Sequence, residues 1–261
     1  MKKSITIWLD LVPKGKFIFL FGLMGIGFLQ ILSSSYLPFF IPNTEILPLW
    51  TAATWGILIV IFVLLHFMKK PFPYFGLILS ILMLLMTFCL QLPDLIVKEP
   101  FWKDVMKLGV WNNFLKLLSF SGACMLMDVH SNKYKNISRG VFAIMLIVFG
   151  NEHFLFVSFA ITLFPDWFPF PVFWTKLTGA LLFLGGLCLL INFRVREVGL
   201  LTAIMIFSWV WFIHLPLVIK NPFANNYNEI ISFFQAIAFS GIALMFAQED
   251  LKSKNSLIIN N

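Results

Sequence analysis

Eight apolar runs, at roughly 17–37, 49–67, 74–92, 114–128, 141–163, 172–192, 198–218 and 230–247, restrict this chain more than any other feature. A helix that crosses the hydrocarbon core of a bilayer needs about 20 mostly apolar residues, and seven of the runs meet or approach that length. The run 114–128 is the shortest and contains Lys116; without it seven spans remain and the termini lie on opposite sides of the membrane. Composition points the same way. Residues are 60% hydrophobic and only 12% charged, where soluble domains carry roughly 25% charged residues. The predicted fold is all-α: a polytopic membrane protein of eight transmembrane helices.

The eight runs fall into two sets of four. Gln30 and His153, Pro42 and Pro165, Pro48 and Pro171, Gly76 and Gly199, Gln91 and His214, and Pro93 and Pro216 are all 123 positions apart. Phe120-Ser121-Gly122 answers Phe239-Ser240-Gly241 after a small deletion. This pattern reads as a duplication, and four helices per copy give the copies the same orientation, as parallel repeats about an axis along the membrane normal. The resulting division is a cytoplasmic segment 1–16, a degenerate first four-helix repeat 17–128, a basic cytoplasmic linker 129–140, a second repeat 141–247 and a cytoplasmic tail 248–261.

Charge placement orients the chain. With eight spans and an inside N-terminus, the inner segments hold Lys2, Lys3, Lys14, Lys16, Lys69, Lys70, Lys133, Lys135, Arg139, Arg194, Arg196, Lys252 and Lys254. The outer segments hold only Lys98, Lys103, Lys107 and Lys220. That asymmetry predicts cytoplasmic termini. It also accounts for the net charge of +7 without nucleic acid as a partner. Asp10, Pro13, Lys14 and Lys16 separate the basic start from the first apolar run, which argues for an uncleaved first helix.

Cys89, Cys124 and Cys188 each fall within an apolar run and form no Cys-x-x-Cys pair, so they read as packing residues. The outer segment Leu163 to Pro171 has three prolines in seven residues and cannot be helical. It reads as an interfacial or re-entrant cap, with Trp167 and Trp174 at headgroup level. The segment 93–113, with Trp102 and Trp111, reads as an amphipathic stretch lying on the bilayer. Gly179, Gly185 and Gly186 allow close helix approach.

Polar residues inside the membrane are the remaining signal. Counting about 1.5 Å per residue from the cytoplasmic helix starts puts His153 about 18 Å up and His214 about 22 Å up. Glu152, Lys176 and Gln235 reach a similar level. These five are candidates for ligand binding or proton exchange, because an ionised side chain at such a depth costs at least about 2.5–3.5 kcal/mol and needs a reason to be there. The first-repeat counterparts are Gln30, Gln91 and Lys116, with both histidines replaced by glutamine. The bland alternative is interhelical glue, with Glu152 paired to Lys176 or a histidine at about 0.6 kcal/mol per contact. No tight metal-ligand spacing is present, and depth does not say whether the faces converge.

Gly150-Asn151-Glu152-His153-Phe154, the proline-rich run Pro165 to Pro171, Trp174, Gly179, Gly185-Gly186 and the turn Arg194 to Arg196 resemble the DoxX-like four-helix membrane family. The resemblance covers about residues 141–247, with the first repeat a degenerate copy. It implies four helices per unit in the bacterial inner membrane. It also implies a membrane subunit of a quinone-linked redox system, with His153 and Glu152 beside a quinone headgroup and other redox subunits as partners. The residues alone leave three readings open: such a subunit, a transporter of a small hydrophobic or weakly acidic molecule, and a structural membrane subunit. No haem, flavin or iron-sulfur motif is present in the chain, and whether it is an enzyme stays undecided at this stage.

Overall fold

The computed structural model describes residues 14–33, 36–40, 47–68, 74–98, 103–128, 131–222 and 224–259. Among these there is no strand. Helix α1 is Gly15–Leu32 and α2 is Leu49–Phe67. Helix α3 is Phe75–Leu85, continued through the π-helical turn Met86–Gln91 into Leu92–Lys98. A 3-10 helix, Val105–Trp111, leads into α4, Asn112–Asp128. Helix α5 is Asn132–Leu155, followed by the short Val157–Ala160 and Ile161–Leu163, and α6 is Pro171–Leu190. Helix α7 is Val195–Trp209, continued through the π-helical turn Val210–His214 into Leu215–Lys220, and α8 is Ala224–Ile259.

Six of these helices are long and apolar enough to cross a membrane, or seven if the segment bent after Leu155 counts as one span. These are the dimensions of a multi-pass integral membrane protein. The eighth expected span falls short. Helix α4 has 17 residues, about 25 Å of rise against a hydrocarbon core of ≈ 30 Å.

Side-chain placement follows helical period. On α1, Phe17, Phe21 and Phe28 are exposed while Phe19, Leu23, Ile26 and Gln30 are buried, which divides a face for lipid from a face for protein. Three glycines of α1 lie on the inner face against α8. A Cβ on Gly15 would come within 2.9 Å of Gly241 O, one on Gly22 within 2.6 Å of Ala238 N, and one on Gly25 would meet the Phe234 ring. Helix α4 in turn lies on α5, where Ser138 Oγ donates to Gly122 O at 3.2 Å. Helix α1 also packs on α2, α3 on α4, α5 on α6, and α7 on both α6 and α8. The last helix of each half of the chain therefore packs on the first helix of the other. Where the two halves meet, Phe120 of α4 and Phe239 of α8 stand edge to face at 5.0 Å. Phe120 also meets Phe19 of α1 at 5.5 Å, and Phe239 meets Phe142 of α5 at 6.4 Å.

Several expected boundaries move. The stretch 129–140, expected as a linker, is helical from Asn132, and Arg139 Nε donates to the Leu189 carbonyl near the C-terminus of α6 at 3.1 Å. The tail expected at 248–261 continues α8 as far as Ile259. The run 141–163 is not one straight helix, since the chain turns by 89° between Asn132–Leu155 and Val157–Leu163. From Phe164 to Phe170 there is no helix, as the prolines require, and Trp167 and Trp174 are exposed. Trp111 is buried against Phe114, while Lys103, Asp104 and Val110 before it are exposed. Trp102 and Pro42 lie outside the described residues. Cys124 is buried as expected, but Cys89 is exposed, and all three thiols are free.

Gly140 separates glycines required by close approach from those that are not, since a Cβ there meets nothing within 4 Å. Gly140→Ala within α5 is expected to raise stability by up to about 1 kcal/mol, from helix propensity alone. Thermal unfolding in detergent would show this as an unchanged or raised Tm.

Candidate functional site

The two π-helical turns have a common local cause. Each is followed after one residue by a proline, Pro93 or Pro216. Proline has no N–H for the preceding carbonyl ladder and its ring crowds the turn before it, and one widened turn relieves both. The turns end on Gln91 and His214.

His214 opens onto a cavity of about 540 Å³ at the end of the bundle where α5 ends and α6 begins. Helices α4 to α8 all line it. Leu146, Phe149, Leu182, Ile206, Trp209 and Phe239 give it apolar walls, and the segment after the α5 bend contributes Phe156, Phe159, Leu163 and Phe164. Nine polar side chains reach it: Asn112, Lys116, Glu152, His153, Thr175, Thr178, His214, Ser232 and Gln235.

Their geometry is specific. Glu152 Oε2 accepts a 2.8 Å hydrogen bond from Asn112 Nδ2, which ties α5 to α4. The Lys116 ammonium lies over the Phe149 ring, 5.6 Å from its centroid, a cation–π contact. His153 Nδ1 is 2.7 Å from the Phe149 carbonyl. A carbonyl only accepts, so Nδ1 carries the proton and the neutral ring presents Nε2 as an acceptor. The imidazole also stacks on Trp209 with centroids 5.9 Å apart. Gly179 makes room for it, because a Cβ there would stand 2.5 Å from His153 Cβ.

Four buried polar atoms of this cavity have no hydrogen-bond partner in the protein: Asn112 Oδ1, Glu152 Oε1, Thr175 Oγ1 and His214 Nδ1. Buried polar atoms in folded proteins are nearly always bonded, and four exceptions stand around this one chamber. The arrangement provides donors and acceptors around the rim of an apolar, aromatic-walled space. Among the described residues no group of three His, Cys, Asp or Glu side chains has metal-binding geometry.

Of the five residues singled out from depth, the cavity gathers Glu152, His153, His214 and Gln235. Lys176 is exposed and does not line it. Thr175, Thr178 and Leu182 are the inward face of α6, and one residue on from Thr175 is about 100° further round the helix. The partner of Glu152 is therefore Asn112, not Lys176. Lys116 and Asn112 join the site from the other half of the chain. Asn112 carried no sequence signal beyond its place at the start of the fourth apolar run. Gln30 and Gln91 lie elsewhere, buried in the first half. No protein-family model, curated protein or solved structure matches this chain.

Proposed function

We propose that this protein is a multi-pass membrane protein of the DoxX-like type that binds a quinone, or a similar small apolar ring compound with oxygens at its edge. It serves as a subunit of a redox system in the bacterial inner membrane, with other redox subunits as partners. The observation that carries the ligand reading is the 540 Å³ cavity with its four unpartnered polar atoms. Its volume falls within the roughly 300–1,000 Å³ of small-molecule sites, and its aromatic walls match a flat ring. Proton exchange is assigned to His153 and His214, the two imidazoles that line the cavity. The lining comes from one end of the helices, which favours a binding chamber over a path through the bundle.

We read the architecture as two parallel four-helix units. The contacts of one half that recur in the other support this: Gly27 with Gly56 and Gly150 with Gly179, Gly76 with α4 and Gly199 with α8, and the matched aromatic pairs around Phe120 and Phe239.

The test is extraction of protein purified in mild detergent, beside a variant carrying His153→Gln and His214→Gln. Near-stoichiometric quinone in the wild type and its loss from an equally folded variant are expected. No quinone in either sample would reject the redox reading and favour transport or a structural role.

A further inference from the structure

Among the described residues the first half carries a smaller cavity of about 370 Å³, lined in part by Tyr36, Trp55, Met86 and Leu90, which does not reach Gln30 or Gln91, and the reason lies in the chain itself. Gln30 and Gln91 stand where α5 and α7 carry His153 and His214. Gln91 Nε2 donates to two backbone carbonyls, Phe39 O at 2.9 Å and Phe40 O at 2.8 Å. Gln30 Oε1 accepts from Leu37 N–H at 3.0 Å, and Asn113 Nδ2 donates to Pro38 O at 3.1 Å. The loop these bonds hold turns inward. Phe39 is 2% exposed and Phe40 fully buried. Phe39 stands edge to face with Phe120 at 5.1 Å, and Phe40 with Trp55 at 5.7 Å.

In the second half the corresponding stretch goes the other way. After the 89° bend, Val157–Leu163 forms a wall of the cavity and does not fill it. Met83, at the position of the cavity residue Ile206, has no exposed surface. Among the described residues, Gln91 Oε1 and Trp55 Nε1 are the two buried side-chain polar atoms outside the large cavity that have no protein partner.

We propose that the first unit holds a second copy of the ring-binding site, closed by its own loop, with Phe39 and Phe40 as an internal ligand latched by Gln30 and Gln91. The loop presents aromatic rings and carbonyl oxygens, and the carbonyls are gripped by the side chain at the end of the π-helical turn. In the second unit that side chain is His214, which selects a ligand of the same chemistry: a ring bearing carbonyl oxygens. The ligand class rests on the function proposed above, whereas the closed copy does not.

Thiol labelling of the full chain in detergent tests the closed copy without any ligand. In a background with Cys89, Cys124 and Cys188 changed to Ser, Ile206→Cys is expected to react with N-ethylmaleimide at least about tenfold faster than Met83→Cys, since position 206 lines the 540 Å³ cavity whereas position 83 lines neither cavity and labels only through local opening. Adding Phe39→Ala and Phe40→Ala should bring Met83→Cys to within a few-fold of Ile206→Cys. Gln91→Ala, which cuts the latch and leaves the rings in place, should raise its rate by a smaller factor and keeps the test decisive if the double variant does not fold. Protection of Met83→Cys in folded loop variants, or reaction as fast as Ile206→Cys with the loop intact, would overturn the proposal. Neither outcome depends on whether quinone co-purifies.

Discussion

Gly241→Val is expected to prevent the two halves of the molecule from closing. A Cβ at this position of α8 would meet Phe19 N of α1, with Phe19 Cα at 2.7 Å and Gly15 O at 2.8 Å. All three are backbone atoms, so no rotamer change relieves the contact and the helices must separate. Inserted bulk in a close-packed interior costs typically 1–3 kcal/mol, occasionally more. This site belongs at the upper end or beyond, because α1 and α8 meet along a row of small residues whose attraction depends on backbone proximity. The measurement is thermal unfolding in detergent beside Gly140→Ala. A Tm for Gly241→Val within a degree or two of wild type would show that the seam is looser than described.

Asn112→Leu should have the second-largest effect, and through one bond. Glu152 Oε1 already lacks a protein partner, and Oε2 depends on Asn112. Removing the amide leaves a buried carboxyl with neither oxygen bonded by protein, a penalty of about 1–3 kcal/mol. Glu152→Leu in the same chain removes the group that suffers, so the double variant should recover much of the loss. A double-mutant cycle measures that coupling directly. Additive losses would mean that the 2.8 Å contact contributes little to the fold.

Much of this architecture is legible in the sequence because its causes are local. Apolar length sets the helices, prolines forbid one across Pro165 to Pro171, and Pro93 and Pro216 mark where α3 and α7 depart from regular winding. Glu152, His153, His214 and Gln235 are recognisable because polar groups at one depth in lipid are rare. What escapes is rotation and neighbour identity. Lys176 matches the others in depth but stands about 100° round α6 from Thr175, a matter of one residue's turn. Asn112 and Lys116 reach the site only because α4 packs on α5, and no local pattern in 112–128 encodes that partner. The filling of the first site depends on the direction of the segment 36–40, which is held by two glutamines far apart in sequence.

The crossing of α4 and α8 between the halves has a structural consequence. On the two-unit reading proposed above, a single unit of four helices lacks the wall that Asn112 and Lys116 supply, and obtains it only from a second copy of itself. The fused chain is then a covalently tethered homodimer whose two units are free to differ: one with an open chamber and its histidines, the other with a glutamine-pinned plug.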